Sequence, residues 1–234
     1  QATKVVRAST FDNAGNLATS FLGRLMRRYE GTRIGRQELH AEFLEEAEGA
    51  LWKRAEIEAA RAEHAPAMRR VVVAIDPAVS SEAGADETGI IVAGLGEDGH
   101  GYILADLSGR YRPDQWAKQA IAAYHAFRAD RIIGEVNNGG ELIGATLRTN
   151  DPNIAFKAVH ASRGKRLRAE PVAALYEQGR VRHHGRFPQL EDQMTNWEPN
   201  GPGPSPDRLD AAVWALTELM LDAAATPRLR SLGD

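Results

Sequence analysis

At 234 residues, with 43% hydrophobic and 26% charged side chains, the chain has the make-up of a globular protein with one good core and at most a small appendage. The absence of cysteine excludes disulfides and thiolate-held metals and permits a cytosolic setting, and no apolar run approaches the length of a membrane span. A net charge of −3 excludes a protein coated in positive charge but leaves room for a local basic groove.

The chain opens on Gln1 rather than Met, without a secretory pattern, which points to a processed product or an excised domain. Residues 1–15 read as a linker. Leu17, Phe21, Leu22, Leu25, Met26 and Tyr29 recur at three and four, so 16–29 is expected to be an amphipathic helix ended by Gly31. A second helical pattern spans about 36–63, with Leu39, Phe43, Leu44, Leu51 and Ile57 on one side. Nothing here converges on a chemical task, so 1–67 reads as a helical lead-in to a domain over 68–234.

From Met68 the period changes. Val71–Ile75 is a β-branched run that delivers Asp76 at its end, and 89–94 and 101–107 are two further strands. Asp98-Gly99 between the latter two is a hairpin signal, so three strands form an antiparallel meander. Pro113 opens a helix to Phe127; 131–136 is a fourth strand, 140–148 a helix and 154–159 a fifth strand. A helix follows from about Ala169 to Gln178, its start marked by Glu170-Pro171. The last helix begins near Asp207, with Ser205 as N-cap and Pro206 in the first turn, after the Pro/Gly-rich loop 198–206. A meander followed by alternating helices and strands gives an α/β fold, a mixed sheet flanked by helices.

Three acids stand out. Asp76 closes the first strand, and Glu135 lies within an otherwise apolar IIGEV. A carboxylate there is costly unless paired or metal-bound, and for Glu135 alone the two readings are about even. Asp210 adjoins the apolar stripe Leu209, Val213, Leu216 and Leu219, so it should point partly inward; Asp207, three residues earlier, shares its face. Alone, Asp207 is a first-turn acid favoured by the helix dipole. As a set, oxygen ligands favour Mg²⁺ or Mn²⁺, and two such ions can activate water for phosphodiester cleavage.

Residues 157–186 carry Lys157, Arg163, Lys165, Arg166, Arg168, Arg180, Arg182 and Arg186 against Glu170 and Glu177, a local surplus of six positive charges. Such runs are usually solvated faces. Here Arg163–Arg168 reads as a loop suited to phosphate contact, and Arg182, His184 and Arg186 as a second basic segment beside the same groove. His183 and His184 point to opposite faces of an extended segment and make a poor chelating pair; DNA contact or surface exposure suits them better. Asn137-Asn138-Gly139-Gly140 reads as a turn. Trp52, Trp116 and Trp214 read as core, and Trp197 as undecided.

The segments AIDPAVSSEAGADETGIIVAG, IIGEVNNGG, ASRGKRLRAEPVAALYEQGRV and SPDRLDAAVWAL, in that order, resemble the C-terminal nuclease domain of phage and gene-transfer-agent large terminases. That domain has a ribonuclease-H-like fold. The likeness spans about 68–222, and STFDN, GTRIGRQEL and ALW resemble the segment that joins a terminase ATPase to its nuclease. It implies that Asp76, Glu135 and Asp210 are catalytic, metal-binding acids, with Asp207 a fourth candidate; Glu82, Asp86 and Glu87 lie in a variable loop. It also implies two Mg²⁺ or Mn²⁺ ions, cleavage of double-stranded DNA during packaging, and a bacterial cytoplasmic setting. The implied partners are an ATPase domain, a portal protein and a small terminase subunit, with no membrane. No G-x-x-x-x-G-K-[ST] occurs, so this chain is not expected to hydrolyse ATP. The competing readings are a junction resolvase or ribonuclease H of the same fold, an actin-like ATPase, and a non-catalytic DNA-binding module.

Overall fold

The computed structural model describes residues 49–77, 87–136, 140–199, 201 and 205–222. The expected helix over 16–29, most of that over 36–63, the Asn137–Gly139 turn, Glu82 and Asp86 lie outside the described residues. Within them the elements are α1 (Arg54–Ala59), β1 (Met68–Asp76), β2 (Gly89–Gly96), β3 (Gly101–Asp106), α2 (Pro113–Ala126), β4 (Arg131–Glu135), α3 (Gly140–Asn150), β5 (Phe156–Val159), α4 (Lys165–Glu177), β6 (Val181–His183), α5 (Pro188–Asn196) and α6 (Asp207–Leu216). A π-helical turn, Thr217–Leu221, continues α6.

The strands form one sheet in the order β5-β4-β1-β2-β3-β6. β1, β2 and β3 are the antiparallel meander, and β4, β5 and β6 join in parallel. At the β2–β3 hairpin Gly99 takes φ 82°, and the Asp98 carboxylate accepts from the His100 amide (3.1 Å) and the Tyr102 hydroxyl (2.8 Å). Alternation along the strands divides the core in two. Val73, Ile75, Ile90, Val92 and Ile132 pack on α2 and α3, including Trp116. Val72, Ala74, Ile91, Ala93 and Ile133 pack on α1, α4, α5 and α6 and on Trp52, which precedes α1. The result is a sheet between two helical layers. Among the described residues no helix is long and apolar enough to cross a membrane.

Four local expectations are corrected. Residues 49–53 are turn and bend, and helix occupies only Arg54–Ala59 of the described part of 36–63. Trp52 packs edge-on to Tyr176 at 6.3 Å, and beyond Ala60 the chain pairs with β6 through Arg61 and Ala62. That tertiary pairing overrides the helical propensity of an Ala/Glu-rich run. Second, α4 starts at Lys165, so Lys165–Arg168 is helix rather than loop, and Pro171 lies inside it. Ion pairs from Lys165, Arg166 and Arg168 anchor the first turn against the bond the proline removes. Third, the basic segment 180–187 contains a sheet strand, β6, and the helix α5 that follows it is not anticipated by the sequence reading, although Leu190 and Met194, one turn apart, are buried. Fourth, Pro206, not Ser205, stands at the N-cap of α6.

The fold places α6 by close approach. Asp76 pairs with Gly89 across β1 and β2, and a Cβ at Gly89 would run into the backbone carbonyl of Asp207 and crowd Ala211. Only glycine lets the helix start so near the strand. Gly89→Ala is expected to cost about 1–3 kcal/mol, the usual range for overpacking, read as a lower denaturant midpoint. At its other end α6 is held through Glu218, buried and paired with Arg70 (3.0 Å), Arg131 (3.5 Å) and Lys157 (2.6 Å).

Candidate active site

The site lies at the C-terminal ends of β1 and β4, where a mixed sheet opens a crevice. These strands run parallel with Ile75 opposite Gly134, so Asp76 and Glu135 follow at adjacent positions. Val72, Ala74 and Ile133 face the layer that holds α6; at period two, Asp76 and Glu135 face it as well. From that layer α6 contributes Asp207 and Asp210, three residues apart and both buried.

The electrostatics follow. Burial pushes the Asp76 carboxyl well above the ordinary range, and the negative charges of Asp210, Asp207 and Glu135 push it further, with Lys165 pulling back. Asp210 is also raised by burial, against the pull of Lys165 and Arg168. The Lys165 ammonium donates to Asp210 Oδ2 at 2.5 Å and to the Ser205 hydroxyl at 2.8 Å. Arg168 lies 3.4 Å from Glu135 Oε2 and 3.7 Å from Asp210 Oδ1. Two cations thus offset part of the negative charge. Among the described residues, no three His, Asp or Glu side chains stand close enough to hold an ion as they are.

Sequence reading passed over two members of the site. The Trp214 indole N–H donates to Glu135 Oε2 at 2.9 Å, and the Arg168 guanidinium lies over the Trp214 ring at 4.9 Å. Positions 207, 210 and 214 share a helix face, so the spacing carried this signal, but a tryptophan beside an apolar stripe reads first as core. Trp214 is buried as expected, yet it orients a carboxylate. Arg208 is the other. It grips Glu87 through two bonds (2.8 and 3.0 Å) and reaches Asp106 at 2.8 Å. A cation in the first turn of a helix opposes the dipole and needs such partners. Glu87 is therefore tied to Arg208.

The basic residues fall into two groups. Lys165 and Arg168 belong to the acid site; Arg163 and Arg166 are exposed beside it, Arg166 paired with Glu170 at 2.7 Å. A cleft of about 550 Å³ adjoins, walled by Lys157, His160, Arg163, Arg168, Leu167 and Trp214. Arg182, His184 and Arg186 lie on or just after β6, three strands from β1, which at the usual strand spacing is about 14 Å. His183 does point away from His184, but it is fully buried rather than exposed. It stands between Tyr176 Oη (2.8 Å) and Glu191 Oε1 (3.2 Å). Burial pushes its pKa down; the neutral ring gives its Nδ1 proton to Glu191 and accepts from Tyr176 at Nε2.

A six-stranded sheet of this order, with acids at the ends of its first and fourth strands, has the ribonuclease-H-like fold. The chain belongs to the Terminase RNaseH-like domain family, whose model matches residues 73–219. Among solved structures it is similar to the nuclease domain of the large terminase subunit gp2 of bacterial virus Sf6, with 16% identity and TM-score 0.55 over 71% of this chain and 98% of that one. The large terminase nuclease of thermophilic phage G20c gives 14% identity and TM-score 0.50, over 64% and 82%. The large terminase of a second thermophilic bacteriophage gives 15% and 0.56, over 91% of this chain and 54% of that one, so this chain spans about half its length. A mutant of the Sf6 domain has been solved with manganese and with calcium. Sequence comparison with curated proteins finds no match.

Proposed function

We propose that this domain is a metal-dependent endonuclease that cuts double-stranded DNA with little sequence preference, as the cutting part of a genome-packaging machine. The observation that carries the reading is the convergence of half-buried Asp76 and Glu135 with buried Asp207 and Asp210, where desolvation and then the charges of the other three raise Asp76. That donor set is all oxygen and over-rich in negative charge, which suits Mg²⁺ or Mn²⁺. Asp76, Glu135 and Asp210 would hold two such ions, with Asp207 beside them, and an ion pair of this kind activates water and stabilises the leaving oxygen in phosphodiester hydrolysis.

The chain's own groups supply the rest. Trp214 holds one oxygen of Glu135 and so fixes how the carboxylate is turned. Lys165 and Arg168 neutralise the acids in the metal-free state; when cations take over that role, both become available to phosphate oxygens. Arg163 extends that contact along the adjoining cleft, Arg166 adds charge on the exposed face beside it, and Arg182, His184 and Arg186 hold the duplex further out. The domain over 68–234 is the nuclease unit, and residues 1–67 join it to a motor. Relatives named as large terminases support the packaging setting; a portal, a small subunit and an ATPase domain are the partners that setting would bring.

The test is incubation with supercoiled plasmid in Mn²⁺, Mg²⁺ or EDTA. Nicking and linearisation are expected with the metals alone. A folded protein that leaves the plasmid intact under every metal would overturn the reading.

A further inference from the structure

The first turn of α6 carries two of the four acids, yet it has no cap of its own. Pro206 stands at the N-cap without a side-chain bond, and the neighbouring Ser205 hydroxyl is engaged by Lys165. Helix starts leave amides that need acceptors, normally supplied by the N-cap side chain to the second or third residue. Here the acceptor comes from another helix. Gln193 of α5 presents Oε1 to the amides of Arg208 (3.0 Å) and Leu209 (3.2 Å), the second and third residues of α6.

The donor helix is itself held firmly. Glu191, fully buried, accepts two bonds from Arg61 (2.5 and 2.7 Å) and one from the Phe187 amide (3.0 Å). Asp192 is paired with Arg54 at 2.6 Å. The covalent link from α5 to α6, residues 197–206, contains four prolines and two glycines, a composition that turns the chain without dictating where the next helix begins. The Gln193 fork supplies what the link does not.

We propose that Gln193 is a positioning residue. By capping α6 from outside, it sets the depth and rotation at which Asp207 and Asp210 meet Asp76. Because α5 rests on Arg54 and Arg61, the acid site takes its register from the segment that precedes the domain. The proposal rests on the nuclease reading above for its effect on activity, but the cap itself is measurable without it.

The test compares Gln193→Met, which keeps shape and loses the acceptor, with Gln193→Glu, which keeps an acceptor. Two quantities are read: the Mn²⁺ concentration giving half-maximal plasmid cleavage, and amide hydrogen exchange at Arg208 and Leu209 in EDTA. Gln193→Met is expected to raise the Mn²⁺ midpoint about 10-fold, as loss of an outer support of metal ligands does. Its rate at saturating Mn²⁺ should change far less, and both amides should lose protection. Gln193→Glu should restore protection and bring the midpoint to or below that of wild type. An active wild type with a folded Gln193→Met variant of unchanged midpoint overturns the positioning role and leaves the nuclease reading standing. So does a Gln193→Glu variant that behaves like Gln193→Met. If wild type never cuts, the nuclease reading falls, and exchange at Arg208 and Leu209 alone decides whether Gln193 caps the helix.

Discussion

Asp76→Asn is expected to give a protein that is at least about 100-fold less active on DNA and, without metal, more stable than wild type. Stabilisation by bound cations is worth several kcal/mol of barrier, and about 2.7 kcal/mol is already 100-fold. The stability gain has a separate cause. The Asp76 carboxyl is pushed well above its ordinary value by burial and then by Asp210, Asp207 and Glu135, so the folded state holds its proton more tightly than the unfolded chain does. The stability contributed by such a group is fully present below the unfolded value, about 3.9. It is lost as pH rises through the raised folded value.

In EDTA, therefore, the denaturant midpoint of Asp76→Asn should gain on that of wild type as pH climbs from about 4 towards neutrality, since 3.9 is the unfolded reference. Both proteins keep the same trend from Asp210, which is raised as well. Mn²⁺ should reverse the order at pH 7. An ion at 100 times its dissociation constant stabilises the fold that binds it by about 2.7 kcal/mol, and only wild type should gain this. Denaturant titrations with and without Mn²⁺ check both halves. An Asp76→Asn protein less stable than wild type in EDTA at pH 7 would contradict the account of the site.

Arg61→Met is expected to be the most damaging substitution for stability, at about 3–5 kcal/mol, the cost of leaving a buried charge without its partner. Arg61 clasps both oxygens of Glu191, also reaches Glu58 (2.9 Å), and donates to the Gly185 carbonyl (2.8 Å). Burial alone would raise the Glu191 carboxyl, but His183, Arg61 and the Phe187 amide outweigh it and hold it far below the usual range. Removing Arg61 withdraws the cation that bonds both oxygens of a side chain with no access to water. The double variant Arg61→Met/Glu191→Gln should recover much of the loss, because it no longer buries a charge. Chemical unfolding of the single and double variants checks this; equal losses in both would show that packing, not charge, is at stake.

The sheet was legible because its strands carry strong local signals. Val71–Ile75 and Asp98-Gly99 specify a strand and a tight turn from a few residues each, and the pattern β-meander then α/β leaves little topological choice. The acids were legible for a related reason: Asp76 and Glu135 interrupt apolar runs, and Asp210 adjoins one. What the sequence hid was tertiary pairing. The start of α4 is set by Lys165 and Arg168 meeting acids 33 to 45 residues away, not by local propensity. The cap of α6 comes from Gln193, 15 residues upstream, and no local motif announces it. His183 looked like a surface histidine because Tyr176 and Glu191, which pair with it in the core, sit on two separate helices. Arg208 and Trp214 are the instructive cases, since charge against the dipole and helical spacing did mark them.

Crystals soaked in MnCl₂ and measured at the manganese absorption edge test the central claim most directly. The expected result is two anomalous peaks roughly 3.5–4 Å apart, the spacing of a two-ion phosphodiester site, bounded by Asp76, Glu135 and Asp210, with Lys165 withdrawn from Asp210. Strong peaks elsewhere on the surface and none among these acids would contradict it.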